Sequence, residues 1–205
     1  MIIYGCEIIK AIRGRRGEPD IKGIEYCDGW YDFENMGISV ICAFDFHTSR
    51  YRVFCKDNFD VFRRLVESTD LVVGFNSIAF DNQLCAANGI EVPEEKSYDL
   101  LVEVWRAAGL GPTFAFPSHI GFGLEACAVA NIGRRKTGDG TAAPILWQRG
   151  EIVSVIDYCL QDVDLTKRLL KRTLPGYDFH DPRHPDKFLA VKPPAVWAAV
   201  WERRA

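Results

Sequence analysis

Three short apolar runs constrain the fold of this chain more than any other feature. They are Met1–Ile9, Ile38–Phe46 and Asp70–Phe75, and each ends at polar residues long before it could cross a membrane. Short apolar runs of this kind are typical of strands that are buried within a sheet. Much of the remaining sequence has the apolar spacing of helices, so the pattern predicts a mixed α/β domain with helices flanking a sheet.

The other elements follow from apolar spacing and from turn and capping residues. Tyr51–Cys55 is predicted to form a hairpin with the second apolar run, around residues 47–50. The predicted helices are Asp57–Ser68, Asp81–Asn88, Tyr98–Ala108, Leu124–Ala130 and Glu151–Leu174. The predicted loops are Lys10–Gly37, Gly111–Gly123 and Arg134–Pro144.

Length, charge and cysteine usage limit the class of protein. The 205 residues are enough for one domain, which we place at residues 1–176, with a proline- and tryptophan-containing tail at 177–205. A net charge of −3 excludes a strongly basic nucleic-acid coat, but not an enzyme whose metal-binding carboxylates lower the charge. Seven cysteines without CxxC spacing favour buried reduced thiols over disulfides or a zinc site. Without a membrane span or a secretory signal, we expect a cytoplasmic protein.

Acidic residues stand at three places where a site can form. Asn76 and Asp81 follow the third apolar run and open a helix, a usual ligand position in α/β folds, although Asp81 can also be a simple helix cap. Tyr158 and Asp162 are four residues apart on one face of the last helix. There Asp162 either needs a partner, a proton or a metal, or lies at the polar border of the helix. Glu7 lies near the end of the first run, where it can also be an edge-strand charge.

Together these places resemble the motifs of the proofreading-type 3′–5′ exonucleases of the DEDDy group. The resemblance covers Met1–Leu174 and includes the sequences VGFNSIAFDN and DYCLQDVDLTKRLL, which are similar to phage and bacterial members. It implies an RNase H-like fold, with a mixed five-stranded sheet flanked by helices. It also implies hydrolysis of phosphodiester bonds at DNA 3′ ends, preferably single-stranded, with RNA as a further possible substrate. The protein would act alone or with a polymerase or another replication protein supplied in trans.

The resemblance assigns the reaction to four residues. Glu7, Asp81 and Asp162 are expected to be catalytic carboxylates that hold two divalent cations, Mg²⁺ or Mn²⁺. Tyr158 is expected to orient the attacking water. These ligand types suit the chemistry, because hard divalent cations prefer carboxylate and water oxygens. Two such cations activate a water and stabilise the leaving oxygen of a phosphodiester.

Substrate contacts are expected from the cleft and from a basic loop. The resemblance implies that Asn76 and Phe80 shape the cleft. Arg135 and Lys136 lie in a basic, glycine-rich loop that either contacts phosphates or is a solvated surface loop. Further aromatic or amide side chains can stack on bases, line the cleft or pack internally. They are Phe114, Phe116, His119, Phe122, Trp147, Gln148, Trp197 and Trp201. For the first four of these we favour packing in the core.

The sequence departs from the family pattern at the first motif, which is Asp-x-Glu in the family. Here the matching residues read Gly5-Cys6-Glu7, so a glycine stands where the family has the aspartate that contacts both metals. We expect this loss to weaken metal binding and activity. A catalytically silent nucleic-acid-binding module of the same fold is therefore the second hypothesis, and an interaction protein that uses the tryptophan-rich tail is the third.

A rival first motif lies in the long loop. Asp32-Phe33-Glu34 is a literal Asp-x-Glu, but the residues before it do not have the pattern of a buried strand. Asp28, Asp32 or Glu34 can alternatively act as a replacement ligand from the loop.

Overall fold

The structure is a computed structural model that describes residues 1–13, 19–138 and 140–196. Its strands are β1 (Ile2–Ile8), β2 (Ala11–Ile12), β3 (Tyr26–Cys27), β4 (Ile38–Asp45), β5 (Arg50–Phe54), β6 (Val72–Gly74), β7 (Ser97–Asp99), β8 (His180–Asp181) and β9 (His184–Phe188). Its helices are α1 (Phe33–Met36), α2 (Phe59–Glu67), α3 (Asp81–Ala87), α4 (Leu100–Ala107), α5 (Leu124–Ile132), α6 (Ala143–Gln148) and α7 (Ile152–Lys171). A 3₁₀ turn, Glu94–Lys96, precedes β7.

The main sheet has five strands in the order β5-β4-β1-β6-β7. The central strand, β1, is antiparallel to β4 and parallel to β6. Beyond these neighbours, β5 pairs antiparallel with β4, and β7 pairs parallel with β6. The predicted mixed five-stranded sheet with flanking helices is confirmed.

Helices cover both faces of the sheet because side chains alternate along each strand. Ile3 of β1 joins the core on the side of α4, α5 and α7. Its neighbours Ile2 and Tyr4 join the core on the side of α2 and α3. Gly5 and Glu7 alternate with the latter residues, so they share the face of Ile3 and lie beneath α7.

The turn after β6 accepts only particular residues. A Cβ atom on Gly74 would lie 2.3 Å from the Ser77 side chain, so a larger residue does not fit there. Asn76 has a φ of 63°, a left-handed conformation that asparagine tolerates better than most residues. The Asp99 carboxylate, at the end of β7, accepts hydrogen bonds from Asn76 N at 2.8 Å and Ile78 N at 3.0 Å. These constraints fix the point at which α3 begins.

Several predicted element boundaries were wrong, among them the start of α4 and the end of the loop before α6. Tyr98 and Asp99 belong to β7 (Ser97–Asp99) rather than to the first turn of the predicted helix Tyr98–Ala108, and α4 begins only at Leu100. The Asp99 carboxylate accepts a hydrogen bond from Leu101 N at 3.0 Å, so this residue caps the helix instead of belonging to it. The predicted loop Arg134–Pro144 is shorter than expected, because α6 already begins at Ala143.

The described part of the long loop after β1 is held by hydrogen bonds at its base and by one distant side chain. At the base, Ile9 N donates to Gly37 O and Lys10 N donates to Met36 O, both at 3.0 Å. Within the loop, β2 and β3 pair as a short parallel ladder and α1 follows them. This local structure was not predicted.

Gln148 at the end of α6 clamps the same loop to the domain. Its Oε1 accepts a hydrogen bond from Glu25 N at 2.7 Å. Its Nε2 donates to Ile9 O at 2.9 Å and to Glu25 O at 3.0 Å. One side chain therefore fixes both the start and the middle of the described loop.

The aromatic loop before α5 is only partly buried. His119 and Phe122 are buried, as expected for core packing. Phe114 and Phe116 are 58% and 78% exposed, so the expectation was wrong for these two residues. The inner side of this loop is occupied by His119, whose ring packs edge-on against Trp105 with ring centres 4.7 Å apart.

Residues beyond α7 pack on the domain as far as the structure describes them. Phe179 and Val191 are buried in the core on the α7 side. Asn131 of α5 exchanges hydrogen bonds with the backbone of His180. Trp197 and Trp201 lie outside the described residues. In the part of the chain that is described, no helix has the length and apolar character needed to cross a bilayer.

The turn after β6 gives a direct test of the fold. We expect Gly74→Ala to lower the free energy of unfolding by about 1–3 kcal/mol, because the added methyl group overlaps the Ser77 side chain. Urea denaturation measures this change. The double variant Gly74→Ala/Ser77→Gly removes the overlapping atoms and should recover part of the loss. Equal stability of the wild-type protein and Gly74→Ala would contradict the geometry of the turn.

Candidate functional site

Three predicted carboxylates from separate parts of the chain line one small cavity of about 220 Å³. Glu7 comes from β1, Asp81 from the first turn of α3, and Asp162 from the middle of α7. Asn76 and Phe80, from the turn before α3, line the same cavity. The structure therefore brings together the acids and the cleft residues that the sequence singled out.

Burial and mutual repulsion make these carboxylates difficult to ionise together. Burial raises the pKa of Asp81 to about 7, and the charges of Asp99 and Asp162 contribute to the rise. Burial and the charges of Asp162 and Asp81 raise the pKa of Glu7 well above its ordinary value. Burial also raises the pKa of Asp162, although the Lys136 ammonium opposes this. Such a group of acids attracts protons or cations at neutral pH.

Two of the carboxylates are held by specific partners. Cys6 N donates a hydrogen bond to Asp81 Oδ1 at 2.8 Å. Lys136 Nζ lies 2.5 Å from Asp162 Oδ2. The second oxygen, Asp162 Oδ1, is buried and has no hydrogen-bond partner among the described residues. A buried carboxylate oxygen without a partner is costly, so this atom marks a place where a ligand would be stabilised.

Tyr158 lies one helical turn before Asp162 and beneath the basic loop. The Lys136 ammonium is 4.7 Å from the centre of its ring. A Cβ atom on Gly138 would lie 2.8 Å from Tyr158 Cδ2, and one on Gly140 would lie 3.2 Å from the hydroxyl oxygen. Glycines at these positions therefore let the loop backbone approach the tyrosine. Burial and the charge of Asp162 raise the pKa of Tyr158 to about 12, so its hydroxyl stays protonated at neutral pH.

The backbone at Gly5 has room for a side chain. A Cβ atom there would lie 3.9 Å from Val163 Cγ2 and 4.0 Å from Asp81 Oδ1, which are ordinary van der Waals distances. Residues 5 and 7 share one face of β1, so an aspartate at position 5 would extend towards the same acids. Packing does not require a glycine here.

The donor chemistry of the site fits a divalent cation of the Mg²⁺ or Mn²⁺ type, because all three candidate ligands are carboxylates. The unpartnered Asp162 Oδ1 is one donor that such a cation would satisfy. In the present side-chain arrangement, however, no three His, Cys, Asp or Glu side chains of the described residues lie close enough together to bind a metal. In this arrangement the Lys136 ammonium pairs with Asp162, and Gly5 has no side chain that could bind a metal.

The rival motif and one basic residue lie outside the acidic cavity. Asp32 Oδ2 accepts a hydrogen bond from Asp28 N at 2.8 Å, and its Oδ1 accepts one from Asn35 Nδ2 at 2.6 Å. Its carboxylate thus organises the turn of the long loop. Neither Asp32 nor Glu34 lines the cavity. Arg135 is exposed and also does not line it, so its contact with substrate stays a prediction.

A second, larger cavity of about 810 Å³ adjoins the acidic one. The two cavities share four lining residues, Cys6, Glu7, Trp30 and Phe80. The long loop, the start of α6 and Tyr158 form the rest of the larger cavity. Sequence reasoning did not single out Trp30, although the segment GWYDF places three aromatic residues in an otherwise polar loop.

Comparison with known proteins shows the fold but not a family. No protein-family model matches the chain, and no curated protein does. Among solved structures, the chain is similar to the family B DNA polymerase from the hyperthermophilic archaeon Pyrobaculum calidifontis. The TM-score is 0.53 and the identity 18% over 85% of this chain, which spans 24% of the polymerase chain. The shared architecture is compatible with an RNase H-like fold.

The raised pKa of Asp81 predicts a stability that depends on pH. The unfolded chain loses this proton near the ordinary value of 3.8, whereas the folded protein keeps it until about pH 7. Between these values the folded state binds the extra proton, so the free energy of unfolding should decrease as the pH rises. In Asp81→Asn this contribution is absent, and the decrease should be smaller by a few kcal/mol.

Urea denaturation in EDTA, at several pH values between about 4 and 8, measures both curves. The carboxamide oxygen of the variant can still accept the hydrogen bond from Cys6 N, so the comparison isolates the titration. Parallel curves for the two proteins would contradict a raised pKa at Asp81.

Proposed function

We propose that this chain is a metal-dependent 3′–5′ exonuclease that hydrolyses phosphodiester bonds at DNA 3′ ends, with single-stranded ends preferred and RNA as a further substrate. The observation that carries the proposal is the convergence of Glu7, Asp81 and Asp162 on one cavity beside Tyr158. The structural likeness to a DNA polymerase chain supports nucleic acid as the class of substrate.

In this proposal the three carboxylates hold two divalent cations, Mg²⁺ or Mn²⁺. When bound, the cations supply an activated water and neutralise the charge that develops on the leaving oxygen. The hydrogen bond from Cys6 N orients the Asp81 carboxylate before any ligand binds. Asp162 offers its unpartnered Oδ1 directly, and its other oxygen when Lys136 moves away.

Tyr158 and Lys136 would act on the water and the phosphate. Because the hydroxyl of Tyr158 is protonated at neutral pH, it can orient a water through a hydrogen bond but does not remove its proton. The interaction with Asp162 raises the pKa of Lys136, so this side chain is an ammonium within reach of the acids. On release from Asp162 it would contact a substrate phosphate, together with Arg135.

A catalytically silent nucleic-acid-binding module is the second candidate function. Two observations favour it: Gly5 supplies no carboxylate, and the Lys136 ammonium already pairs with Asp162. A protein of this kind would bind a strand end through the same cavity and would not hydrolyse it.

The first experiment follows a single strand labelled at its 3′ or 5′ end, with Mg²⁺, Mn²⁺ or EDTA. We expect metal-dependent loss of the 3′ label and a stepwise shortening of the 5′-labelled strand. Asp162→Asn should reduce the rate at least about 100-fold, because it removes a charged ligand while keeping the side-chain shape. Asp164→Asn is the matched control, since Asp164 lies on the same helix but pairs with Arg168 outside the cavity.

The outcomes separate the two candidate functions. Hydrolysis that is equal in wild type and Asp162→Asn would contradict the assigned site. Absence of hydrolysis together with metal-dependent end binding would favour the silent module.

A second experiment restores the missing carboxylate. We expect Gly5→Asp to increase the rate roughly tenfold or more and to lower the Mn²⁺ concentration required, because the new carboxylate would lie beside Asp81. Gly5→Asn has the same shape without the charge, and Gly5→Ala tests the added volume alone. If Gly5→Asp does not exceed Gly5→Asn, then position 5 does not complete the metal site.

A further inference from the structure

We propose that Lys136 is an internal lock on the acidic cavity: its ammonium pairs with Asp162 and weakens the binding of divalent cations until this ion pair opens. The inference rests on the proposed function for the cations that the three carboxylates would hold. It goes beyond that function by assigning to one residue of the basic loop the control of when the site binds metal.

The ion pair of Lys136 with Asp162 is shielded from water and salt. Lys136 Nζ lies 2.5 Å from Asp162 Oδ2, and each of the two side chains is only 21% exposed. By contrast, the surface pair of Arg64 with Asp60 leaves 62% and 54% of its side chains exposed. Water and dissolved ions screen the attraction within an exposed pair, whereas a partly buried pair keeps more of it. A cation that binds Asp162 therefore competes with a partner that is already in place.

The Lys136 ammonium also acts on the other groups of the site. Burial raises the pKa of Glu7 well above its ordinary value, and the positive charge of Lys136 opposes this rise. The ammonium lies 4.7 Å from the centre of the Tyr158 ring. Burial lowers the pKa of Lys136 itself, but its interactions with Asp162 and Tyr158 outweigh this effect and raise it. One side chain thus places a positive charge among the residues that would hold the metal.

The two residues that follow Lys136 attach the loop to α7. The Thr137 hydroxyl donates a hydrogen bond to the side chain of Gln161. Gly138 lies so close to Tyr158 that a Cβ atom there would be 2.8 Å from the ring. These contacts restrict the chain around Lys136, so less conformational freedom is lost when its ion pair forms.

The competition between the ammonium and a cation follows from charge, although Asp162 has two oxygens. Lys136 engages Oδ2, whereas Oδ1 is buried and has no hydrogen-bond partner among the described residues. A divalent cation at Oδ1 would lie beside the ammonium, and like charges repel each other strongly where little water separates them. Gly5 adds no negative charge that would attract both. Metal binding is therefore coupled to the opening of the ion pair.

The test compares Mn²⁺ binding by the full chain with and without the Lys136 ammonium. Free Mn²⁺ is measured by electron paramagnetic resonance without nucleic acid, at about pH 8 to favour ionised carboxylates. We expect Lys136→Met to bind Mn²⁺ roughly 5- to 150-fold more tightly than wild type, the range typical of coupled sites. Lys136→Arg keeps the positive charge and should bind Mn²⁺ about as weakly as wild type.

Thermal unfolding gives a second measurement that does not depend on activity. Mn²⁺ should raise the Tm of Lys136→Met at lower concentrations than it raises the Tm of wild type, because a ligand that binds only the folded chain stabilises it according to its affinity. Lys136→Gln replaces Lys136→Met if that variant does not fold. Its neutral amide can still donate a hydrogen bond to Asp162, and it should also bind Mn²⁺ more tightly than wild type.

Matched controls separate the lock from a general change of charge. Arg135→Met removes the same charge from the neighbouring position, but Arg135 is exposed and does not line the acidic cavity. Because an exposed charge is screened by salt, this variant should change the Mn²⁺ affinity by less than about twofold. Adding Asp162→Asn to Lys136→Met should abolish the gain in affinity, since the gain requires the carboxylate that the lysine releases.

The inference is overturned if Lys136→Met binds Mn²⁺ no more tightly than wild type, if Arg135→Met gains as much affinity, or if the gain survives Asp162→Asn. Undetectable Mn²⁺ binding in every variant would also overturn it. The outcomes distinguish the lock from the proposed function. Tighter binding by Lys136→Met, with no loss of a 3′ label from DNA incubated with wild type, would retain the lock and reject the exonuclease. Loss of the 3′ label without any gain in Mn²⁺ affinity would do the reverse.

Discussion

The central strand β1 pairs with β4 along its length and with β6 at Ile2 and Ile3, and helices cover both of its faces, so most of its side chains are buried. The strand nevertheless carries Glu7, and the helices that cover it carry Asp81 and Asp162. Desolvating three acids is unfavourable unless protons, hydrogen bonds or cations compensate. The raised pKa values, the hydrogen bond from Cys6 N and the ammonium of Lys136 are all responses to this one constraint.

Asp81 and Asp162 are stabilised by different kinds of partner. Asp81 is held by the backbone of β1, so its position follows the sheet. Asp162 is held by Lys136, which belongs to a glycine-containing loop that lies over Tyr158. One carboxylate is therefore held by the central strand of the sheet and the other by a loop. Protonation of the Asp162 carboxylate would weaken its ion pair with Lys136, because a neutral acid attracts the ammonium less strongly.

The sequence predicted the elements whose causes are local. The apolar runs became β1, β4 and β6, and the spacing of Tyr158 and Asp162 placed both on the inner side of α7, as an amphipathic helix requires. Tyr98 and Asp99 were misassigned to a helix because the three-residue strand β7 is too short to show a periodicity and depends on pairing with β6. The attachment of the described part of the long loop was not predictable, because Gln148, which binds its backbone, lies more than a hundred positions along the chain. Trp30 was missed because the cavities that it lines are formed with residues distant in the sequence, such as Phe80. The ion pair of Lys136 with Asp162 depends on the path of a loop, which no local sequence pattern specifies.

The hydrogen bonds at the base of the long loop have a consequence for how the domain can be rebuilt. They bring Lys10 and Met36 together directly beside the β1–β4 ladder, so the segment leaves and rejoins the sheet at one point. A segment joined to the sheet in this way can change in its exposed part while the β1–β4 ladder keeps its register, provided that the buried Cys27 and Met36 are retained. Exchange of the exposed part for one of different shape would alter what the acidic centre is offered without altering the centre itself, and this makes the position a natural graft point for changing selectivity.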